Sequence, residues 1–481
     1  MTYKLVRTII YTSFALVLAI ANNVSAQEAT YKQTEFSQKQ VSNDLSFLYQ
    51  SLTKTHYNAF AYVSQAQYEA KYQQLRQLVD LKKRWTLLEV TSLYQQLAAI
   101  IRNGHTEIDF PAEVYIAYAQ AGGTVFPFEI TFDIHRALIT HNYSEKGEIK
   151  AGDELLAING KSLDEVLDSI YPLISAERHY FKQTKLEALS FPRYYWQVYG
   201  EEKTFSVTVM DQDSNEQTLV VNATPVIHGF EMQREEVLNA TRKLSFYGDI
   251  AYLNPGNFSG DEIEFEEFIR NGFKQINQRR IKSLIVDLRN NAGGNDSFSN
   301  YLVSFIADKP FKWSSKFQLK TSRLLKDDTQ KHRDITQPYW QQVMEHPSGS
   351  IYEYDFGLYE PQPVEQRFKG QVIVLINRQT HSQSAVTAAQ IQDYGWAVIA
   401  GEETADLPSL YTSQFSFQLP ETGITVKVAK GKITRISGSE ALKGVLPDIY
   451  LKPDITSGDD NVLSSAVSLL KEKALTEAPP N

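Results

Sequence analysis

Two short loops hold the residues whose types could do chemistry together. In the first, the apolar run Ser283-Leu284-Ile285-Val286-Asp287-Leu288 empties into Arg289-Asn290-Asn291-Ala292-Gly293-Gly294. In the second, Val372-Ile373-Val374-Leu375-Ile376 empties into Asn377-Arg378-Gln379-Thr380-His381-Ser382-Gln383-Ser384-Ala385 and a helical pattern. The double glycine suits a backbone that must bring its N–H groups close to a ligand. Ser382 is a hydroxyl at a helix start, with Ser384 as its rival. Acyl transfer needs an oxyanion hole and a nucleophile, and these loops offer one of each, the pattern of a serine hydrolase. The bland alternative is that Ser382 only caps a helix, a common use of serine at a loop–helix junction.

Loops at the carboxyl ends of strands are where open α/β folds build their sites, so the surrounding elements should alternate. A strand at Ile250–Leu253 is expected, then a helix over Glu262–Asn277, the strand before the glycines and a helix from Ser297 to Ile306. A polar insertion runs from Asp308 to Glu365. The serine loop leads into a helix over Ala385–Asp393 and a strand at Trp396–Ala400, and a β-rich tail spans Phe415–Lys452. Upstream, Leu45, Leu48 and Leu52 recur three and four apart, as do Leu75 and Leu78, and a further pattern runs through Leu93, Leu97 and Ile100-Ile101. These mark a helical leader that ends at Arg102-Asn103-Gly104-His105-Thr106. Between 123 and 223 the texture becomes short β-type runs, with turn signals at Gly152-Asp153 and Asn159-Gly160 and one helix capped by Ser162 with Glu165 three residues on. The expected division is 1–26, 31–118 (helical), 119–225 (β-rich) and 240–475 (α/β core).

With 481 residues the chain is too long for one core, and 42% hydrophobic with 22% charged residues is ordinary globular composition. A net charge of −9 argues against nucleic acid as a partner. Lys4 and Arg7 precede an apolar segment from Ile9 to Ile20, and Val24-Ser25-Ala26 follows as a small-residue cleavage site. This reads as a cleavable export signal with a mature start at Gln27, a periplasmic or secreted location and no lasting membrane insertion. The chain has no cysteine, which removes disulfides and thiolate metal sites. Neither GxSxG, a P-loop nor HExxH occurs.

The third region resembles the core of the C-terminal-processing and tricorn-like serine peptidases, family S41. The resemblance is carried by Ile250-Ala251-Tyr252-Leu253, Asp287-Leu288-Arg289-Asn290-Asn291-Ala292-Gly293-Gly294, Thr380-His381-Ser382, Gly401-Glu402-Glu403-Thr404 and Gly444-Val445-Leu446-Pro447-Asp448. The segment Glu148–Lys161 resembles the core of a PDZ domain, a module that captures peptide ends by strand addition. The fold implied is multi-domain α/β, with a crotonase/ClpP-like ββα spiral core behind a helical domain and a PDZ-like domain. The implied activity is hydrolysis of peptide bonds in peptides or unfolded proteins, without cofactor or metal.

Within that resemblance Ser382 is the nucleophile, and N–H groups of Gly293 or Gly294 together with Gln383 form the oxyanion hole. One branch of the family uses a lysine that here is replaced by Leu407. The other uses a histidine ahead of the PDZ-like insert, the position of His105 in Asn103-Gly104-His105-Thr106. Histidine titrates near neutrality, as a base that must later act as an acid requires. The resemblance assigns the orienting carboxylate to Glu440, with Glu402, Glu403 and Asp406 also in contention. His56 and His381 read as structural or surface groups. Two other classes fit parts of the pattern: a peptidase-fold binding protein without turnover, and a crotonase-like acyl-CoA enzyme.

Overall fold

In this computed structural model, residues 34–134, 136–238 and 240–476 are described. The expected export signal at 1–26 lies outside them.

The leader is built by three capped helices. Ser37, Ser64 and Thr86 each close a capping box on α1 (Gln38–Thr55), α2 (Gln65–Asp80) and α3 (Leu87–Ala99), satisfying backbone donors that a helix start leaves orphaned. Their apolar stripes, including Leu45, Leu48, Leu52, Leu75, Leu93 and Leu97, form one core. The leader is not self-contained, because Phe415, Val426 and Val428 from the far end of the chain fill the same core.

The middle region is an antiparallel sheet of β1 (Phe128–Asp133), β2 (Arg136–Asn142), β3 (Glu154–Ile158), β4 (Thr204–Met210) and β5 (Glu216–Asn222), in spatial order β5-β4-β3-β2-β1. Ser162 caps α4 (Leu163–Ile170) with a full capping box. Two further helices, α5 (His179–Leu189) and α6 (Phe191–Tyr199), pack on this sheet. They depart from the β texture expected of this stretch. Its aromatic run favours strands, but Ser190 caps α6 and Pro192 occupies its first turn, where proline costs nothing.

The third region carries a six-stranded sheet of β6 (Arg242–Tyr247), β7 (Ile250–Pro255), β8 (Ser283–Asp287), β11 (Gln371–Ile376), β12 (Val398–Gly401) and β15 (Ile449–Tyr450). Only the β6–β7 pair is antiparallel. β8 is buried along its whole length, as a parallel strand covered on both faces must be. One face packs on α7 (Glu262–Gln278) and α8 (Asp296–Ser304), and the other on the helix that starts at Asn461.

The polar insertion is built of regular elements. It forms β9 (Lys316–Lys320), the helices α9 (Arg323–His332) and α10 (Pro338–Glu345), and β10 (Ile351–Glu353). Only a few apolar residues, among them Leu325 and Val343, anchor it in the leader core, too sparse a stripe to show as periodicity. A second sheet, in order β10-β9-β14-β13, joins it to the hairpin β13 (Leu410–Gln418) and β14 (Thr425–Thr434). The leader joins this sheet too, because Glu107-Ile108 pairs with Lys427 and Val426 of β14. That pairing sets His105, two residues earlier, against the third region.

Candidate active site

The strand β11 ends at Ile376, and six residues later Ser382 takes the N-cap position of α11 (Gln383–Tyr394). Ser382 has φ 53° and ψ −124°, a positive-φ conformation that a residue with a side chain adopts at a cost of about 1–3 kcal/mol. The surrounding bonds hold it there. Thr380 Oγ1 donates to the carbonyl of Leu288 at 2.9 Å, and His381 N–H donates to the carbonyl of Asn291 at 3.0 Å. The serine and glycine loops are thereby stitched together. Ser382 occupies the N-cap position of α11, yet its side chain makes no capping bond. The capping interpretation therefore fails, and the hydroxyl stays available. Ser384 is fully buried within the helix start, out of a substrate's reach.

Gly293 and Gly294 both have positive φ. A Cβ on Gly293 would come within 2.8 Å of Gln383 N and 2.9 Å of Ser382 Cβ, so the glycine backbone packs directly on the serine turn. A Cβ on Gly294 would stand 1.9 Å from the carbonyl oxygen of Phe258. Gly293 N–H is already donated to Asn291 Oδ1 at 2.8 Å, whereas Gln383 N–H, at the first position of α11, belongs to the turn that has no intrahelical acceptors.

Asp406 is the hub of the site. It lies in the loop after β12, buried with 1% exposure. Its Oδ2 accepts from Ser382 N–H at 2.8 Å, stands 2.9 Å from His381 Nδ1 and 3.7 Å from His105 Nε2. Its Oδ1 accepts from Leu407 N–H at 2.9 Å. Burial alone would raise its pKa, but the two imidazoles and the Ser382 N–H outweigh it and hold the carboxyl well below the usual range. Asp406 is thus an anion at any pH near neutrality.

His105 is brought from the leader to within reach of this carboxylate. Its ring lies parallel to that of His381, with centroids 5.1 Å apart and planes 3° apart. Neither of its nitrogens has a hydrogen-bond partner among the described residues. Burial pushes its pKa down to about 4, against the pull of Asp406. The imidazole is therefore neutral near pH 7, the form that can accept a proton.

The loop before it is pinned by buried polar groups. His56 Nε2 lies 3.2 Å from Asn103 Oδ1, and Thr106 Oγ1 donates to the same oxygen at 2.9 Å. Glu177 Oε1 accepts from Asn103 Nδ2 at 2.7 Å and from Gly104 N–H at 3.1 Å. Burial, reinforced by Asp406, raises the Glu177 pKa. Gly104 is required here, because a Cβ would lie 2.4 Å from the Phe181 ring.

The middle region also fixes the Asp406 loop. Arg178 Nη2 donates to the carbonyls of Thr404 and Ala405 at 3.0 and 2.8 Å, its Nη1 pairs with Glu403 at 2.5 Å, and Tyr180 donates to the carbonyl of Glu403 at 3.1 Å.

Of the residues singled out from sequence, the structure gathers Ser382, His105, Gly293, Gly294 and Gln383. It does not bring in Glu440, whose half-exposed carboxylate pairs with Lys432 at 2.7 Å. The carboxylate facing the imidazole is Asp406, held in place by backbone N–H groups that no spacing rule reveals. The two glutamates beside Gly401 are engaged elsewhere, Glu402 with Arg378 and Glu403 with Arg178. His381, read as structural or surface, stands at the hub. Glu177 left no signal in the sequence, since it acts through a fold contact 73 residues away from Gly104.

Residues 249–451 match the profile described as peptidase family S41. Among solved structures, mature CPAF is similar at 15% identity with a TM-score of 0.62, covering 91% of this chain and 96% of that one. Mature CPAF complexed with lactacystin is similar at 16% identity and a TM-score of 0.59, covering 91% and 97%. At that identity the likeness establishes a shared fold, and it spans nearly the whole of both chains. With the serine and glycine loops of the α/β core both inside the matched span, residues 249–451 form a peptidase family S41 region and the chain is a serine-type peptidase.

Proposed function

We propose that this chain is an exported endopeptidase that works through an acyl-enzyme on Ser382, with His105 as the base. The observation that carries this reading is the single oxygen of Asp406, which touches the Ser382 backbone and faces the His105 ring. A serine hydroxyl is too weak a nucleophile to attack an amide unaided. His105 would take its proton as the tetrahedral intermediate forms, and return it to the leaving amine. Asp406 would hold the imidazole and stabilise its charged form. Because burial disfavours that charge, the nearby anion matters more here than at an exposed site. Gln383 N–H and the Gly293–Gly294 turn would receive the oxyanion.

The substrate class is an extended peptide or unfolded chain. The antiparallel middle sheet supports capture of such a segment by strand addition, and the resemblance of Glu148–Lys161 to a PDZ core points to a free carboxyl end. The basic and apolar segment before Gln27 supports export to the periplasm or the outside.

A fluorophosphonate probe tests the mechanism. Adduct mass on the peptide bearing Ser382, absent from Ser382→Ala and strongly slowed in His105→Ala, is the expected result. Labelling that survives Ser382→Ala would refute it, and a folded protein with no labelling would favour a binding role. N-terminal sequencing of the exported protein should begin at Gln27.

A further inference from the structure

Two imidazoles and a carboxylate meet at the site, which is one imidazole more than a Ser–His–Asp mechanism uses. His105, His381 and Asp406 each offer a ligand atom, a ring nitrogen or a carboxylate oxygen, and these atoms lie within 4.8 Å of one another. The shorter separations are 2.9 and 3.7 Å. A tetrahedral zinc ion with ligands at roughly 2.0–2.2 Å spaces its ligand atoms about 3.3 Å apart, inside that range. His105 supplies a second, independent sign: it is 4% exposed, and both ring nitrogens are buried without a hydrogen-bond partner among the described residues. Buried polar groups are normally satisfied, and this one points its Nε2 towards the Asp406 oxygen.

We infer that His105, His381 and Asp406 form an inhibitory site for a divalent transition-metal ion of the zinc type. Imidazole and carboxylate are the donor set that such ions take, and three protein ligands leave a fourth position for water. The parallel rings set one condition: two lone pairs lying in parallel planes do not converge, so one imidazole must turn. His381 has the room, since its side chain is 23% exposed against 5% for His105. Its exposure also gives the ion a route in. Binding closes no covalent step. It ties the imidazole and the carboxylate to the ion and places a positive charge beside the ring, which opposes its taking a proton from Ser382. The inhibitory consequence rests on the Ser382–His105 reading, while the binding itself does not.

The test is calorimetric titration of Zn²⁺ into the chelator-treated full chain, paired with peptide hydrolysis. One ion per chain is expected, with affinity weakened more than about tenfold in His381→Ala and unaltered in Ser382→Ala. Co²⁺ in place of Zn²⁺ should show the visible bands of a four-coordinate site. Hydrolysis should fall with zinc occupancy and return with chelator. His105→Gln gives a second ligand deletion should His381→Ala fail to fold. No binding by the folded parent, or binding indifferent to both ligand changes, overturns the inference. So does activation by zinc. Binding that depends on His381 in a protein without hydrolysis would sustain the site and refute the mechanism, whereas hydrolysis that needs Ser382 but ignores zinc would do the reverse.

Discussion

Replacing Asp406 by asparagine removes one charge and almost no volume. The side-chain oxygen can still accept from Ser382 or Leu407 N–H, so the fold around the loop should persist. What disappears is the anion 3.7 Å from His105 Nε2. Two unit charges at that separation, in an effective dielectric of about 20, attract by roughly 4 kcal/mol. In the proposed transition state His105 carries the proton of Ser382, so this attraction would be present there and absent from the neutral ground state. Its loss should lower kcat by about three decades, with KM little altered. The assay is steady-state hydrolysis of a quenched fluorescent peptide, with the melting temperature as the control for folding. Glu440→Gln is the matched comparison: it deletes a surface ion pair worth at most about 1 kcal/mol, and should leave kcat within about twofold of the parent. If Glu440→Gln abolished turnover while Asp406→Asn retained it, the placement of the carboxylate argued from Asp406 Oδ2 would be wrong.

Three further outcomes follow from the same contacts. Glu177→Gln keeps the acceptor for Asn103 and Gly104 but not the ionisation; since the folded pKa of Glu177 is raised by burial and then by Asp406, the parent loses stability as pH rises above the ordinary glutamate range, so the variant should melt higher than the parent at pH 8 and nearly equally at pH 5. Gly294→Ala places a Cβ against the Phe258 carbonyl at φ 141°, which should cost on the order of 3 kcal/mol and show as a lower melting temperature and lost fluorophosphonate labelling. His56 is held near a pKa of about 4 by burial, below its ordinary 6.5. The unfolded chain therefore takes up a proton first as pH falls from 6.5 towards 4, which should remove about 3 kcal/mol of stability; denaturant titrations at pH 7 and 4.5 should show a smaller loss in His56→Gln.

The parts of the fold legible in the sequence are those with dense, local signals. The leader helices show through capping residues and leucine spacing, and β8 and β11 through apolar runs that end in polar turns. The juxtaposition of the Ser382 loop with the glycine pair is legible because a polar turn at a helix start and a close backbone approach need particular residue types at particular places. The β texture between 123 and 223 conceals α5 and α6, since Phe191-Pro192-Arg193-Tyr194-Tyr195-Trp196 has strand-forming side chains inside a capped helix. Asp406 is visible only as one acid among several near Gly401. Its selection over Glu440 depends on a loop held by Arg178 and Tyr180 from another region, which is tertiary information. Glu177 and His381 are hidden for the same reason: what they do is decided by whom they meet across the fold.

The ties from Arg178 and Tyr180 to residues 403–405 have a practical corollary for anyone trimming this enzyme. A fragment cut to 249–451, the stretch that the family profile recognises, would keep the alcohol and the aspartate. It would discard the imidazole and the two side chains that fasten the aspartate's loop. Such a minimal piece would be a blade without its handle: on the proposed mechanism, only the polypeptide wound back upon itself, early residues against late ones, can cut.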